Sequence, residues 1–423
     1  WHNTYMEGER LKFYEKILRY CGERGRGWRA EKKSGNLWLN KLKNDQVVNL
    51  QKVFITDAGY KHTLGAVRSL GKKGFYVIAG APGKHAQSFY SKYCNESVIY
   101  PDPRDERRFI DFLLEYFQKN KVDVLLPIGY LATVAISKYK DELLSYTKIP
   151  VADYQSMQIA SDKYRTMEMA RELGIPTPRE YSSIEDVNTY PIVAKGIYES
   201  GQVRYINSAE ELNRIPLSNN ILQEYIPGEG FGFYALFNKG EERAIFMHKR
   251  MREYPITGGS STAAESMYDP ELRDLGLTLL KALDWHGVAM VEFKKDSRDG
   301  KYKLMEINPK FWGSLDLSIA SGVDFPYLTV MMALEGDIQP VLDYNRDVKF
   351  RWPFPDDILH MLANPKSAKH AIRDIFDKKA KSNIVLDDIK PNLFQLYQTG
   401  IVVLQHIRDG DLKYPHGKPE KRT

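Results

Sequence analysis

The pattern of apolar and polar positions changes abruptly at Val53. Val53-Phe-Ile-Thr56 is a short unbroken apolar run and reads as a buried strand. Asp57 to Lys61 reads as a loop, Leu64 to Leu70 as a helix, and Phe75-Tyr-Val-Ile-Ala79 as a second strand. Strand, helix and strand at this spacing predict a βαβ unit with a parallel sheet. Phe109 to Phe117 follows as an amphipathic helix and Val122-Asp-Val-Leu-Leu126 as another strand. Residues 51–152 therefore read as a small doubly wound α/β domain.

Beyond it, residues 154–174 form one helical passage that stops at Gly174, ahead of Pro176 and Pro178. Short strands alternate with loops from Pro191 to Ile226, and a longer α+β stretch runs from Phe231 to Gly336. The last part, 339–423, is rich in Asp, Lys and Pro and reads as a helical appendage. Residues 1–48 are charged and punctuated by Gly22, Gly25, Gly27 and Gly35, with one helical stretch, Leu11 to Cys21. They read as an arm or as the remnant of another domain. The first residue is Trp1, not Met, which predicts a chain that continues upstream.

Composition narrows the function. Of 423 residues, 43% are hydrophobic and 27% charged, which excludes wholesale disorder. The net charge of +6 is mild and its basic residues are dispersed, apart from clusters at the two ends. This argues against a nucleic-acid partner. Two cysteines, Cys21 and Cys94, cannot build a disulfide framework beyond one pair, which points to a reducing cytoplasm. The longest uncharged stretch, Pro391 to Ile407, is broken by Asn392, Gln395, Gln398 and Gln405, so no membrane span is expected. The loop after the first strand lacks GxGxxG spacing, and Gly83-Lys84 is followed by His85 where a phosphate loop needs Ser or Thr.

One local pattern asks for a cation. Val288-Ala-Met-Val-Glu292-Phe293 and Tyr302-Lys-Leu-Met-Glu306-Ile-Asn308 both alternate like strands, with a turn sequence between them at Asp296 to Lys301. Folding the hairpin about residue 299 puts Glu292 opposite Glu306, with Met290, Leu304 and Asn308 on the same face. Two opposed carboxylates among apolar neighbours repel each other and lose hydration. Either one of them is solvated, or a hard divalent cation held by oxygens neutralises them. With no His or Cys nearby, Mg²⁺ or Mn²⁺ suits such a donor set better than Zn²⁺.

With these residues in view, the chain resembles the ATP-grasp superfamily of ligases over about 51–338. Ser161-Asp-Lys163 with Leu173-Gly-Ile-Pro-Thr-Pro178 is similar to the helix carrying the family's first phosphate-contacting lysine, and Pro191-Ile-Val-Ala-Lys195 to the strand carrying its second. Leu222-Gln-Glu-Tyr-Ile-Pro-Gly-Glu229 resembles the hinge, and Met305-Glu-Ile-Asn-Pro-Lys310 the metal-site strand. Phe311-Trp-Gly-Ser314, His248-Lys-Arg-Met-Arg252 and Gly258-Gly-Ser-Ser261 look most like the carboligase branch related to carbamoyl-phosphate synthase large subunits and D-aspartate ligases.

The resemblance implies an ATP-grasp fold behind an N-terminal pre-ATP-grasp domain, with a small lobe over 153–225 and a large lobe over 226–338. It implies that Lys163, Lys195 and Ser200 contact ATP phosphates, that Gln223, Glu224, Tyr225 and Ile226 hold adenine, and that Glu229 takes the ribose. Glu292, Glu306 and Asn308 would hold Mg²⁺ or Mn²⁺. Arg250 and Lys310 would stabilise the anionic intermediate, with Arg252 expected on the same strand face as Arg250. Lys310 departs from the family's usual Arg, and Gly196-Ile-Tyr-Glu-Ser-Gly201 is poor in glycine for a phosphate loop. The implied activity is an ATP-dependent carboxylate–amine ligase working through an acyl-phosphate on small amino-acid-like substrates, in the cytoplasm, with homodimers common in the family. The alternative is a nucleotide-binding regulatory module impaired in catalysis.

Overall fold

Four parallel strands open the fold: β1 (Lys52–Ile55), β2 (Tyr76–Ala81), β3 (Glu96–Ile99) and β4 (Val124–Leu126), in the order β3-β2-β1-β4. They belong to a computed structural model that describes residues 50–197, 203–215, 220–377 and 379–415. The helix Leu11 to Cys21, and Ser200, lie outside the described residues. Alternation along each strand feeds two cores. Val53, Ile55, Val77 and Ala79 face one, while Phe54, Ile78 and Leu125 face the other. Burial on both faces is what a parallel sheet requires, and it explains the unbroken apolar runs. The helix Glu106–Lys119 starts where Asp105 accepts a hydrogen bond from the Arg108 amide, and it buries the stripe Phe109, Ile110, Leu113 and Phe117.

Two further sheets follow. The smaller one is antiparallel, ordered β5-β8-β6-β7, from β5 (Glu180–Tyr181), β6 (Ile192–Gly196), β7 (Val203–Ile206) and β8 (Asn220–Glu224). The larger one has seven strands in the order β13-β12-β9-β10-β11-β14-β15. These are β9 (Gly228–Asn238), β10 (Glu241–Tyr254), β11 (Ser260–Ser266), β12 (Gly287–Asp296), β13 (Tyr302–Asn308), β14 (Lys349–Arg351) and β15 (Ala380–Ser382).

Two expectations change here. The passage 154–174 is two helices, Tyr154–Ser161 and Lys163–Glu172. Asp162 between them has extended backbone and accepts hydrogen bonds from the Tyr164 and Arg165 amides at 2.9 and 3.2 Å, so it caps the second helix. Met157, Ala160, Met167 and Ala170 of this pair share a core with Phe233, Val291 and Phe293 of the large sheet. By packing, these helices lie against the large sheet.

The C-terminal segment, for its part, is no purely helical appendage. It supplies β14 and β15 and reaches back to the first domain through buried polar bonds. Arg68 donates to Asp388 Oδ2, Asn383 O and Asp388 O, each at 2.8 Å, and to Asn392 Oδ1 at 3.1 Å. Side chains buried by pairing leave no apolar periodicity to read, so the sequence pattern missed them.

Candidate active site

The hairpin register follows from alternation as far as the carboxylates. β12 and β13 are antiparallel, with Met290 opposite Asn308 and Glu292 opposite Glu306. The register then slips, so that Phe293 faces Leu304 and Met305 is the extra residue of a β-bulge. The bulge corrects one expectation. Leu304 is buried in the core with Phe293 and Ile307, while Met305 and Glu306 both line the cavity described below.

A second bulge shapes the facing strand. Between β10 and β11, Arg250 pairs with Ala264 and Arg252 with Ala263, leaving Met251 over. Alternation is therefore broken, and Arg250 and Arg252 do not share a face. Arg250 and Glu253 look into the cavity. Arg252 turns away into a buried cluster, donating to Asp357 from Nε at 2.8 Å and from Nη2 at 3.0 Å, and from Nη1 to Asp374.

Between the small and large sheets lies a cavity of about 370 Å³. It is lined by Lys163, Lys195, Gln223, Glu224, Tyr225 and Ile226, by Arg250, Ser260, Ser261, Lys310 and Ser314, and by Glu292, Glu306 and Asn308. Eleven of the thirteen residues singled out in the sequence thus line one cavity. Ser200 lies outside the described residues. Glu229 is held off the cavity, where its exposed carboxylate pairs with Lys249 at 2.8 Å.

Electrostatics bind the centre together. Lys163 Nζ lies 3.4 Å from Glu306 Oε2, and Arg250 Nη2 lies 2.6 Å from Glu292 Oε2. Burial pushes the Glu292 carboxyl above the usual range, and Glu306 adds to this against the pull of Arg250. Burial opposes charge on Glu306 too, yet Lys163 and Lys195 together hold it below that range. Burial lowers the Lys195 ammonium, with both glutamates opposing the shift. Neighbouring carboxylates thus titrate apart, as is frequent at sites that bind and transfer charge.

The donor set fits a hard cation. Among the described residues no three His, Cys, Asp or Glu side chains gather as a metal centre. The oxygens here come from two glutamates and an amide. The Asn308 amide nitrogen donates to Glu306 Oε1 at 3.0 Å, which orients the side chain beside the carboxylate pair. Ligation short of a full shell leaves room for phosphate oxygens and water, which Mg²⁺ prefers to a closed protein cage.

Two glycines allow Arg250 its reach. Arg250 stands on β10 and Glu292 on β12, with β9 between them. A Cβ on Gly230 would lie 2.8 Å from Arg250 Cδ, and one on Gly232 would lie 2.3 Å from the Tyr234 hydroxyl oxygen. The missing side chains leave room on the site face of β9 for the Arg250 stem over Gly230 and the Tyr234 hydroxyl over Gly232.

Sequence reasoning missed a polar wall at the Arg250 end. His248 Nε2 is hydrogen bonded to the Tyr234 hydroxyl and to Ser314 Oγ, the latter at 2.7 Å. The signal was present in the paired runs His248 to Arg252 and Phe311 to Ser314, but only the fold joins them. Burial, helped by Arg250, lowers the His248 imidazole to about 3. Because the folded value lies below the unfolded one, the unfolded chain takes the proton first as pH falls. The stability that neutral His248 contributes is therefore complete above about pH 6.5 and drains away toward pH 3. Urea midpoints should fall more steeply for wild type than for His248→Gln between pH 6.5 and 4, by up to about 1.4 kcal/mol per pH unit. Parallel curves would show that the group does not titrate this way.

Residues 217–353 match the family described as ATP-grasp in the biosynthetic pathway with Ter operon. D-aspartate ligase of Enterococcus faecium is 25% identical over 270 residues, covering 54% of this chain and 64% of that protein. Carbamoyl-phosphate synthase of Methanobrevibacter smithii is 34% identical over 114 residues, covering 25% of this chain and 28% of that one. The chain thus spans less than two thirds of the length of these curated relatives. Among solved structures, N5-carboxyaminoimidazole synthetase from Staphylococcus aureus complexed with ADP aligns with a TM-score of 0.56 at 18% identity, over 69% of this chain and 79% of that one. L-amino acid ligase from Bacillus licheniformis gives 0.53 at 17%, over 69% and 77%. Among the described residues no helix is long and apolar enough to cross a membrane. The chain carries an ATP-grasp domain, and the ATP-grasp fold extends over most of its described length.

Proposed function

We propose that the protein is an ATP-dependent carboxylate–amine ligase. The observation that carries this reading is one continuous cavity. It gathers lysines, opposed glutamates and the hinge residues with an arginine, a further lysine and serine hydroxyls. The substrate carboxylate attacks the γ-phosphorus of ATP, the bond to the bridging oxygen breaks, and ADP leaves. An amine then attacks the acyl-phosphate carbon, loses a proton, and phosphate departs with the bonding pair.

The residues divide this work by charge. Lys163 and Lys195 hold phosphate oxygens as point charges, and the backbone of 223–226 takes the adenine edge. Ser200 would join the phosphates from the loop after Lys195. Glu292, Glu306 and the Asn308 carbonyl would hold Mg²⁺ or Mn²⁺, which supplies charge neutralisation on the phosphates. Arg250 and Lys310 face the anionic acyl end, Arg250 as a fork and Lys310 as a compact charge. Small carboxylates and amines fit the substrate end, in keeping with the D-aspartate and L-amino acid ligases among the similar proteins. A cytoplasmic location goes with ATP as substrate.

ADP and phosphate release against a panel of amino-acid pairs tests the reading. Stoichiometric release is expected only when acid and amine are both present. Lys195→Met should cut kcat/KM for ATP by roughly 10²–10³-fold, since it removes one oriented charge from the transferring phosphate. Binding of Mg-ATP with no turnover across the panel would leave a nucleotide-binding module instead, and absence of ATP binding would reject both.

A further inference from the structure

Arg250 and the implied cation claim the same carboxylate. Arg250 Nη2 approaches Glu292 Oε2 at 2.6 Å, and Nη1 lies 3.5 Å from Glu253. Arg250 Nε is buried and has no hydrogen-bond partner among the described residues. Glu292 thus holds one nitrogen of the fork, and the Nε–H beside it is left for the second bond of a two-pronged grip once Nη2 is released. Gly230, with no side chain beside Arg250 Cδ, lets the long side chain lie close against β9.

We propose that Arg250 is the displaceable counter-ion of Glu292: it neutralises the carboxylate until a divalent cation takes that place, and only then presents its fork to the acyl substrate. This rests on the ligase reading and deepens it, because it makes acid binding follow cation and nucleotide. A cation on Glu292 repels the guanidinium, and the released fork meets the anion at the serine-lined end. The exchange keeps the opposed carboxylates compensated at every stage, which a fixed arginine would not do once the cation arrived.

Mn²⁺ binding to the full chain with ADP and no acid, followed by electron paramagnetic resonance and by calorimetry, tests this without turnover. Removing a competitor strengthens binding, so Arg250→Met is expected to take up Mn²⁺ about 10-fold more tightly than wild type. Arg250→Lys, which keeps the charge on a shorter and unforked side chain, should also bind more tightly but to a smaller extent. An arginine that serves only as a phosphate or acid ligand predicts the opposite sign or no change. Equal or weaker Mn²⁺ binding in both variants overturns the proposal while leaving the ligase reading intact. Should Glu292→Gln bind Mn²⁺ as wild type does, the metal assignment falls and this proposal with it, whatever the release assay shows.

Discussion

Glu306→Gln is expected to reduce ADP formation by at least 10²–10³-fold while leaving the fold intact, since it removes one fixed charge from the centre of a charge-transferring site. The substitution is nearly isosteric. It keeps the partner geometry toward Asn308, whose amide nitrogen donates to Glu306 Oε1 at 3.0 Å, and it removes the charge that faces Lys163 at 3.4 Å. It also relieves repulsion between two carboxylates set directly opposite each other on β12 and β13. Because Lys163 and Lys195 outweigh that repulsion and hold the Glu306 carboxyl below its usual range, stability should fall modestly while turnover collapses. A loss of fold alongside the loss of activity would show that Glu306 is structural. Full turnover would remove it from the site. Paired measurement of ADP release and of the urea midpoint separates these outcomes.

Arg252→Met is expected to act in the opposite sense, on stability first. Arg252 pairs with Asp374 and forks Asp357, whose side chain is 1% exposed. Thr262 also donates to Asp357, at 3.1 Å, but offers no charge. Removing the guanidinium strands two carboxylates in a buried setting, a change that typically costs about 3–5 kcal/mol. The urea midpoint should drop accordingly. Asp357→Asn with Arg252→Met should recover part of the loss, because the double variant leaves less charge uncompensated. A midpoint within 0.5 kcal/mol of wild type, the range usual for surface changes, would mean the cluster is open to water.

What could be read from the chain, and what could not, divides along a physical line. The doubly wound domain was legible because strands buried on both faces leave continuous apolar runs. The opposition of Glu292 and Glu306 was legible because period-two alternation holds from Met290 to Glu292 and from Glu306 to Asn308. Alternation fails wherever a strand carries one extra residue, and Met251 and Met305 are two such residues beside the site. Each reverses which neighbours face the cavity, so Arg252 and Leu304 were expected where Glu253 and Met305 stand. Bulges have no apolar signature of their own. The break at Asp162 had a signal in its capping chemistry, since an aspartate before a helix lysine marks a start as readily as a middle. The Tyr234, His248 and Ser314 wall depends on residues far apart in sequence, and no local pattern joins them.

The buried fork of Arg68 sets a timetable for the chain's maturation. Its acceptors at Asp388 and Asn392 lie 320 and 324 residues downstream. At roughly 5–20 residues per second of synthesis, they emerge about 15–60 s after Arg68 itself. The first domain must therefore hold a solvated arginine for that interval, and its buried polar contacts close only after residue 392 has been made. A nascent chain stalled before residue 380 would carry every residue that lines the cavity but not the partners that seat Arg68.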